Sequence, residues 1–191
     1  MPLKKHLRQS LQRKQWKNNM IYKWKYTTPD GFSDMIMYSD GTDLTGLSFI
    51  HSSNKQKHDE NAEDRLIDVF RETIHWLDIY FSGQEPDFVP PYKINGLTDF
   101  RKEVVDEMNR IPYGKTITYG EIAKRIAKKH GIEKMSAQAV GGAVGWNPIC
   151  LIVPCHRVMG AKRKITGYGG GIENKIALLE LEAGKNNEVC I

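Results

Sequence analysis

Residues 119–147 read YGEIAKRIAKKHGIEKMSAQAVGGAVGWN, and this stretch predicts two short helices joined by a tight turn. The first helix is basic and should end at Gly131, since glycine commonly follows the last helical residue. Ser136 is suited to cap the second helix, which should end before an Asn-Pro pair. Two short helices in this arrangement are typical of a helix-turn-helix.

The second helix of the pair has a composition that disfavours a helix. It contains three glycines, at positions 141, 142 and 145, and each costs roughly 1 kcal/mol of helix propensity. Glycine and alanine allow another backbone to approach closely, either within the protein or on a partner. The sequence alone does not decide between these two reasons.

Directly after this helix, residues 149–160 read ICLIVPCHRVMG. We interpret the apolar part as a strand, with Cys155 presented at its end by Pro154. Cys155 itself has four interpretations: a buried inert thiol, a disulfide partner of Cys150, a zinc ligand or a nucleophile. The ligand spacing does not fit a zinc site, and the adjacent His156 and Arg157 supply the positive charge that a reactive thiolate needs.

Further toward the N-terminus, periodicity predicts a helix after Thr98 or Asp99 that runs to about Arg110. Residues 84–92 (QEPDFVPPY) are proline-rich and read as a linker. A helix is predicted over residues 62–82 from apolar residues at helical spacing. Before it, residues 20–50 alternate apolar and polar positions and predict three strands in a meander.

Charge is distributed unevenly along the 191 residues, whose formal net charge is +5. Residues 1–25 carry eight Lys/Arg and no acid, residues 26–100 carry five against fourteen acids, and residues 101–191 carry fifteen against nine. A basic C-terminal half beside an acidic middle fits contact of one half with a polyanion. Two ordinary solvated faces would give the same pattern.

Cysteine usage and hydropathy bear on the compartment. Three cysteines are too few for a disulfide framework, and no apolar run approaches the ~20 residues of a membrane span. We therefore expect an intracellular, reducing location, cytoplasmic or nuclear. Residues 1–19 are read as a basic tail, for which a nucleic-acid arm is an alternative.

The segment PCHRV resembles the active-site signature of the O6-alkylguanine-DNA alkyltransferases, also called methylated-DNA–protein-cysteine methyltransferases. The similarity extends to IPYGKTITYGEIA, AVGGAVGWNP, TGYGGG and KIALLELEAG, in the order and spacing of the family, and covers about residues 22–184. It implies an α+β fold: a small N-terminal antiparallel sheet (ribonuclease H-like) with a helix over 20–91, and a mostly helical C-terminal domain with a winged-helix-like helix-turn-helix over 92–191.

The resemblance implies a single-turnover DNA repair enzyme that keeps the alkyl group of O6-alkylguanine, and of O4-alkylthymine, on Cys155. His156 would remove the thiol proton through a water, and Glu182 would orient His156. Tyr119 would donate to the guanine ring, and Asn147 would tie the glycine-rich helix to the active-site strand. No cofactor and no metal are expected.

The same resemblance assigns a DNA and substrate surface. The second helix would enter the minor groove and the target base would be flipped out of the stack. The residues assigned to contact DNA or the flipped base are Ala137, Gln138, Ala139, Gly141, Arg157, Val158, Tyr168 and Lys175. Gln138 departs from the family, which usually has arginine there, and weaker binding or slower flipping is expected.

Two other functions fit parts of the sequence. A non-catalytic binder of alkylated DNA would lack the acceptor cysteine, which is present here. A helix-turn-helix regulator would carry long polar side chains on its second helix, whereas this one is mostly Ala, Val and Gly. We therefore favour the repair enzyme, acting as a monomer on double-stranded DNA and without a membrane.

Overall fold

Alternating apolar residues fold the N-terminal part into a small sheet. The computed structural model describes residues 20–52 and 61–184, in which β1 (Tyr22–Tyr26), β2 (Met35–Ser39) and β3 (Leu44–Phe49) form the predicted antiparallel meander. A short strand β4 (Glu63–Asp64) pairs parallel with β1, which gives the strand order β3-β2-β1-β4. The sheet is therefore mixed rather than purely antiparallel.

Helix α1 (Asp68–Phe81) covers this sheet, and its start differs from the prediction. Residues 63–64 were expected to be helical, but the backbone N–H of Glu63 donates to Ile21 at the free edge of β1. An unpaired strand edge thus competes with helix formation, which the apolar spacing of one segment cannot reveal. The buried side of α1 consists of Val69, Phe70, Thr73, Trp76, Leu77, Tyr80 and Phe81.

Three helices form the first half of the C-terminal part: α2 (Asp99–Asn109), α3 (Tyr119–His130) and α4 (Ala137–Gly145). Their ends follow local side-chain chemistry. Thr98 caps α2, and Thr118 with Glu121 forms a reciprocal capping box at the start of α3. Gly131 ends α3 with a φ of 64°, and the Ser136 hydroxyl accepts from Ala139 to cap α4. The predicted helix-turn-helix is confirmed.

The second half of the C-terminal part closes over these helices. Strand β5 (Ile117–Thr118) pairs parallel with β6 (Val158–Met159), which brings residues on either side of α3 and α4 together. Helix α5 (Ile172–Ala183) begins after Gly171, whose φ is 93°. Its buried residues include the polar Asn174, Lys175 and Glu182, which indicates that α5 contributes more than apolar packing.

The segment before Cys155 is a buried turn, so the strand prediction for ICLIV is wrong. Backbone N–H groups of Ile152 and Val153 donate to Cys150 and Ile149, and Leu151 has a φ of 69°. A short apolar run shows that a segment is buried but not how its backbone groups are satisfied. Here local turns and a neighbouring strand edge satisfy them.

Contacts between the N-terminal and C-terminal parts concentrate around this turn. Backbone hydrogen bonds join Leu47 of β3 to Pro148 and Cys150, at 2.9 and 2.8 Å. The Ser52 hydroxyl donates to the Gly169 carbonyl at 2.8 Å. The sheet therefore supports two segments that surround Cys155.

The ranges 20–52 and 61–184 contain no helix with the length and apolar character required to cross a membrane. They also contain no group of three or more His, Cys, Asp or Glu placed to hold a metal ion.

Candidate active site

Cys155 begins a short 3-10 turn, Cys155–Arg157, directly after Pro154. Its N–H donates to Val153 at 2.8 Å, and only 6% of the residue is exposed. The cysteine lines a cavity of about 60 Å³ together with Tyr119, Cys150 and residues 167–170. The thiol is therefore directed into an enclosed space between α3, α4 and a glycine-rich loop.

The surroundings of Cys155 favour its thiolate. A hydrogen bond from the Cys150 thiol lowers the pKa most, burial opposes this, and the Asn147 amide and the Lys175 charge lower it further, to about 7. The Asn147 Nδ2 lies 3.1 Å from the Cys155 sulfur. At neutral pH the thiolate is therefore more populated than the few per cent of an ordinary cysteine.

His156 and Glu182 form a fully buried pair behind the cysteine. The distance from His156 Nε2 to Glu182 Oε1 is 2.7 Å. Burial lowers the pKa of His156, partly offset by Glu182, so the imidazole is neutral and donates through Nε2. Its other nitrogen, Nδ1, is buried without a hydrogen-bond partner in the described part of the chain. An unprotonated ring nitrogen on the residue that follows the cysteine is suited to act as a general base.

Glu182 is held in its charged form by several donors. Burial alone would raise its pKa, but the hydrogen bonds from His156 and Arg157, together with the positive charge of Arg157, outweigh burial and lower it to about 2. Arg157 donates from Nε to Oε2 at 2.9 Å, and the Gly114 N–H donates to the same oxygen at 3.1 Å. These hydrogen bonds thus hold the Glu182 carboxylate in one position and keep it deprotonated.

Asn147 and Lys175 complete the wall of the site. Besides Cys155, the Asn147 amide donates to Val153 at 2.8 Å and so links the end of α4 to the turn that carries the cysteine. Lys175 is fully buried, and its ammonium donates to the Val158 carbonyl at 2.6 Å. Burial lowers the pKa of Lys175 to about 8. Lys175 is thus a buried residue of the site, although a lysine on an amphipathic helix is more often solvated on its surface.

Comparisons with known proteins agree with this geometry. The family model described as "6-O-methylguanine DNA methyltransferase, DNA binding domain" matches residues 99–184. The methylated-DNA–protein-cysteine methyltransferase of Mycobacterium tuberculosis is 39% identical over 161 residues, which is 84% of this chain and 93% of that protein. The chain belongs to this methyltransferase family.

Further relatives extend the likeness within the family. The methylated-DNA–protein-cysteine methyltransferase of Haemophilus influenzae is 37% identical over 163 residues, covering 85% of this chain and 86% of that protein. A crystal structure of Mycobacterium tuberculosis OGT in complex with DNA superposes with a TM-score of 0.71 at 37% identity, covering 85% and 92% of the two chains. The resemblance, the α+β fold and the prediction of an enzyme of this methyltransferase family are confirmed.

Within this methyltransferase, Tyr119 and Tyr168 both line the cavity beside Cys155. Burial raises the pKa of Tyr119, so its hydroxyl stays protonated and can donate. Burial and the two nearby cysteines raise the pKa of Tyr168 well above its ordinary value. Both tyrosines therefore line the cavity that Cys155 lines, and their roles toward the substrate stay predictions.

The loop that carries Tyr168 is clamped at Gly170. The Asn174 amide donates to the Gly170 carbonyl at 2.7 Å, and Ser52 holds the preceding carbonyl. A Cβ at Gly170 would lie 2.6 Å from Phe49 and 2.7 Å from Tyr168. No other side chain fits at this position without displacing an aromatic ring.

Gly170→Ala is therefore expected to destabilise the fold by about 1–3 kcal/mol, the usual cost of overpacking, and to disturb the Tyr168 wall. Gly167→Ala, in the same loop, is the matched control, because a Cβ there meets nothing within 4 Å. Thermal unfolding of both variants measures the difference. Equal unfolding temperatures would contradict the close contact at Gly170.

Helix α4 exposes the small residues that were assigned to DNA. Ala137, Gln138 and Ala139 are exposed, and Gly141 is half-buried next to the Tyr119 ring. The exposed side of this helix is therefore nearly flat. Gln138 is the longest side chain on its first turn.

Arg157 differs most from its expected role. It was assigned to DNA or substrate, but only 9% of it is exposed. Its guanidinium donates to Glu182 and, at 2.8 Å, to the Ile111 carbonyl. The geometry thus turns Arg157 away from solvent and toward the Glu182 carboxylate.

Sequence reasoning missed two polar contributors to the site. Cys150 had no assigned role in the site, yet it lines the same cavity as Cys155 and is the largest cause that lowers the pKa of that cysteine. Tyr80 was counted only as a buried position of α1, yet its hydroxyl donates to Glu182 at 2.7 Å. A second cysteine five residues before the first was a detectable signal, whereas an aromatic residue within an apolar helical pattern gave none.

Proposed function

We propose that the chain repairs O6-alkylguanine in double-stranded DNA, and O4-alkylthymine as a second substrate, by transferring the alkyl group irreversibly to Cys155. The observation that carries the proposal is a buried cysteine directly followed in the chain by a His156 that is hydrogen-bonded to Glu182 and whose Nδ1 has no partner among the described residues. Such an arrangement supplies a nucleophile and its base without a cofactor.

In the proposed reaction, the Cys155 thiol gives its proton to His156 Nδ1 through a bridging water. The thiolate sulfur then attacks the saturated carbon on O6, which forms the S–C bond and breaks the C–O6 bond. The electron pair of the broken bond stays on guanine, and Tyr119 donates a hydrogen bond or proton to the ring as this charge develops. The thioether is stable, so each chain reacts once.

Access to the base is proposed to involve flipping. The cavity of about 60 Å³ lies well below the roughly 300–1,000 Å³ of ordinary ligand pockets. A base therefore enters only if the loop over residues 167–170 moves. Asn147, Lys175 and the Val158 carbonyl would then form the fixed wall, and Tyr168 the movable one.

DNA binding is proposed to use the exposed side of α4. A groove of about 920 Å³ between α3 and the start of α4 is lined by Lys124, Lys128 and Lys134. These ammonium groups would contact phosphates, while Ala137, Ala139 and Gly141 would let the minor groove approach. Arg157 is assigned here to positioning Glu182 rather than to DNA. We further propose that the chain divides into two domains as expected. Residues 20–91 would support the active site, and residues 92–191 would carry the reacting residues and the DNA-binding helix.

Mass spectrometry after mixing the protein with an O6-methylguanine duplex tests the proposal. We expect one methyl group on the Cys155 peptide and saturation at one per chain. DNA binding without a mass gain would instead favour a non-catalytic lesion binder. An O4-methylthymine duplex in a parallel reaction tests the second substrate.

Gln138→Arg is expected to bind a lesion-containing duplex about tenfold more tightly, or about 1.4 kcal/mol, because it adds a charged fork of donors where the orphaned base is left. Gln84→Arg is the matched control, since Gln84 is also exposed and lies in the loop after α1. Fluorescence anisotropy and single-turnover repair rates measure both. Equal affinities and rates for Gln138→Arg and the natural protein would contradict the assignment.

A further inference from the structure

Helix α1 places a hydroxyl group beside the two residues proposed to activate Cys155. Tyr80, 102 positions before Glu182, donates to Oε1 of that carboxylate at 2.7 Å. The same hydroxyl oxygen lies 3.3 Å from Nε2 of His156. The whole side chain is buried. Through the Tyr80 hydroxyl, the N-terminal part thus contacts both Glu182 and His156.

Aromatic packing fixes the position of this hydroxyl. The Tyr80 ring stacks on Trp76 with centroids 5.2 Å apart, and it meets Tyr113 and His156 edge-on at 6.0 and 6.3 Å. A ring held on several sides cannot move its hydroxyl away from Glu182 without displacing its neighbours. The contact is therefore a property of the packed core.

The hydroxyl also stays protonated. Burial, and then the Glu182 charge, raise the pKa of Tyr80 well above its ordinary value. Because its proton is donated to Glu182, only oxygen lone pairs can face His156. A carboxylate likewise accepts and does not donate. Both groups next to His156 Nε2 are thus acceptors, so this nitrogen must carry the proton, which leaves Nδ1 without one.

We infer that Tyr80 is a positioning residue for the proposed alkyl transfer, because its hydroxyl and Glu182 together fix His156 in the tautomer whose Nδ1 accepts the Cys155 proton. Glu182 alone is a weaker restraint, since its Oε1 is shared with the Arg157 guanidinium at 3.0 Å. The effect on repair rests on the proposed function. The effect on the tautomer does not.

Tyr80→Phe tests the inference because it removes the hydroxyl and keeps the ring. We expect single-turnover transfer at saturating DNA to slow by about ten- to a hundredfold, as for loss of one charge-assisted hydrogen bond. The slowing should be about the same at every pH, because the equilibrium between the two neutral tautomers of the imidazole does not depend on pH. Affinity for the lesion duplex should be unchanged.

Nitrogen-15 NMR of the histidine imidazoles gives a readout that needs no DNA. In the natural protein, His156 should show a protonated Nε2 and an unprotonated Nδ1. In Tyr80→Phe the two forms should be mixed. His156→Gln assigns the signals.

Tyr113→Phe is the matched control, because the Tyr113 hydroxyl is buried in the same cluster without a hydrogen-bond partner among the described residues. It should change neither the rate nor the spectrum. The inference is overturned if Tyr80→Phe keeps the natural tautomer of His156, whether or not its stability or rate falls. If the natural protein transfers no methyl group, the proposed function fails, and the spectra still decide the role of Tyr80.

Discussion

Cys155→Ser is expected to take up no methyl group from an O6-methylguanine duplex, whereas the natural protein should take up one per chain. A serine hydroxyl is not ionised near neutral pH, so the displacement loses its nucleophile. The fold should persist, because the change is nearly isosteric. DNA binding should persist as well, because Cys155 faces a cavity and α4 carries the exposed surface. Intact-protein mass measures the uptake.

Cys150→Ser is the control for stoichiometry. It removes the neighbouring thiol but leaves the proposed acceptor, so uptake should still reach one methyl group per chain. If Cys155→Ser took up a methyl group, or if Cys150→Ser took up none, the assignment of Cys155 as the acceptor would be wrong.

The pH dependence of transfer follows from the Cys155 pKa of about 7. The reactive form is the thiolate, so the rate should rise about tenfold per pH unit below pH 7 and level off about one unit above it. Cysteine at its ordinary pKa of 9.0 would keep gaining rate up to pH 9. Single-turnover rates between pH 5.5 and 9 distinguish the two.

Glu182→Gln is expected to lower the free energy of unfolding by about 3–5 kcal/mol, the usual cost of removing one partner from a buried ion pair. The Arg157 guanidinium would be left buried and unpaired, and His156 would lose its charged acceptor. Transfer should slow by about a hundredfold or more, since orientation and charge of the base are both affected. Denaturant unfolding and single-turnover assays measure the two effects.

Glu180→Gln provides the matched control on the same helix. Glu180 is exposed, two residues from Glu182, and such surface changes usually stay within about 0.5 kcal/mol. If both variants lost stability equally, the buried cluster around Glu182 would not be the source of the effect.

The stabilising effect of the Glu182 carboxylate should also be visible in acid denaturation. The pKa of Glu182 is about 2 in the folded protein, below its ordinary value of 4.5. A depressed folded pKa adds stability above the ordinary pKa, and this stability is lost as the pH falls toward the folded value. The natural protein should therefore lose about 3 kcal/mol more than Glu182→Gln between pH 5 and 2.

The sequence was informative where short-range chemistry determines structure. Thr118 with Glu121, Gly131 and Ser136 act on their immediate neighbours, so the helix-turn-helix could be predicted residue by residue. Of the residues matched to the family, Tyr119, Gly141, Cys155 and Tyr168 line one cavity, because β5, β6 and the helices between them bring these distant segments together. Family resemblance, rather than periodicity, supplied Glu182 as the partner of His156.

Other features depend on contacts that one segment does not encode. The ICLIV run is apolar because it is buried, but its turn conformation depends on Leu47 of a distant strand. Arg157 follows a histidine in a basic motif, yet its direction is set by a carboxylate 25 positions away. Tyr80 looks like any core aromatic until helices α1 and α5 are placed together.

The small size of the cavity beside Cys155 affects how well this cysteine is protected from unwanted alkylation before the protein meets DNA. On the proposed function each chain can react only once, and the chemicals that alkylate guanine are themselves electrophiles that consume thiolates. A cysteine that is 6% exposed in a space of about 60 Å³ is shielded from such agents in bulk solution. On the proposed function, this burial would preserve an acceptor that can be used only once until damaged DNA reaches the site.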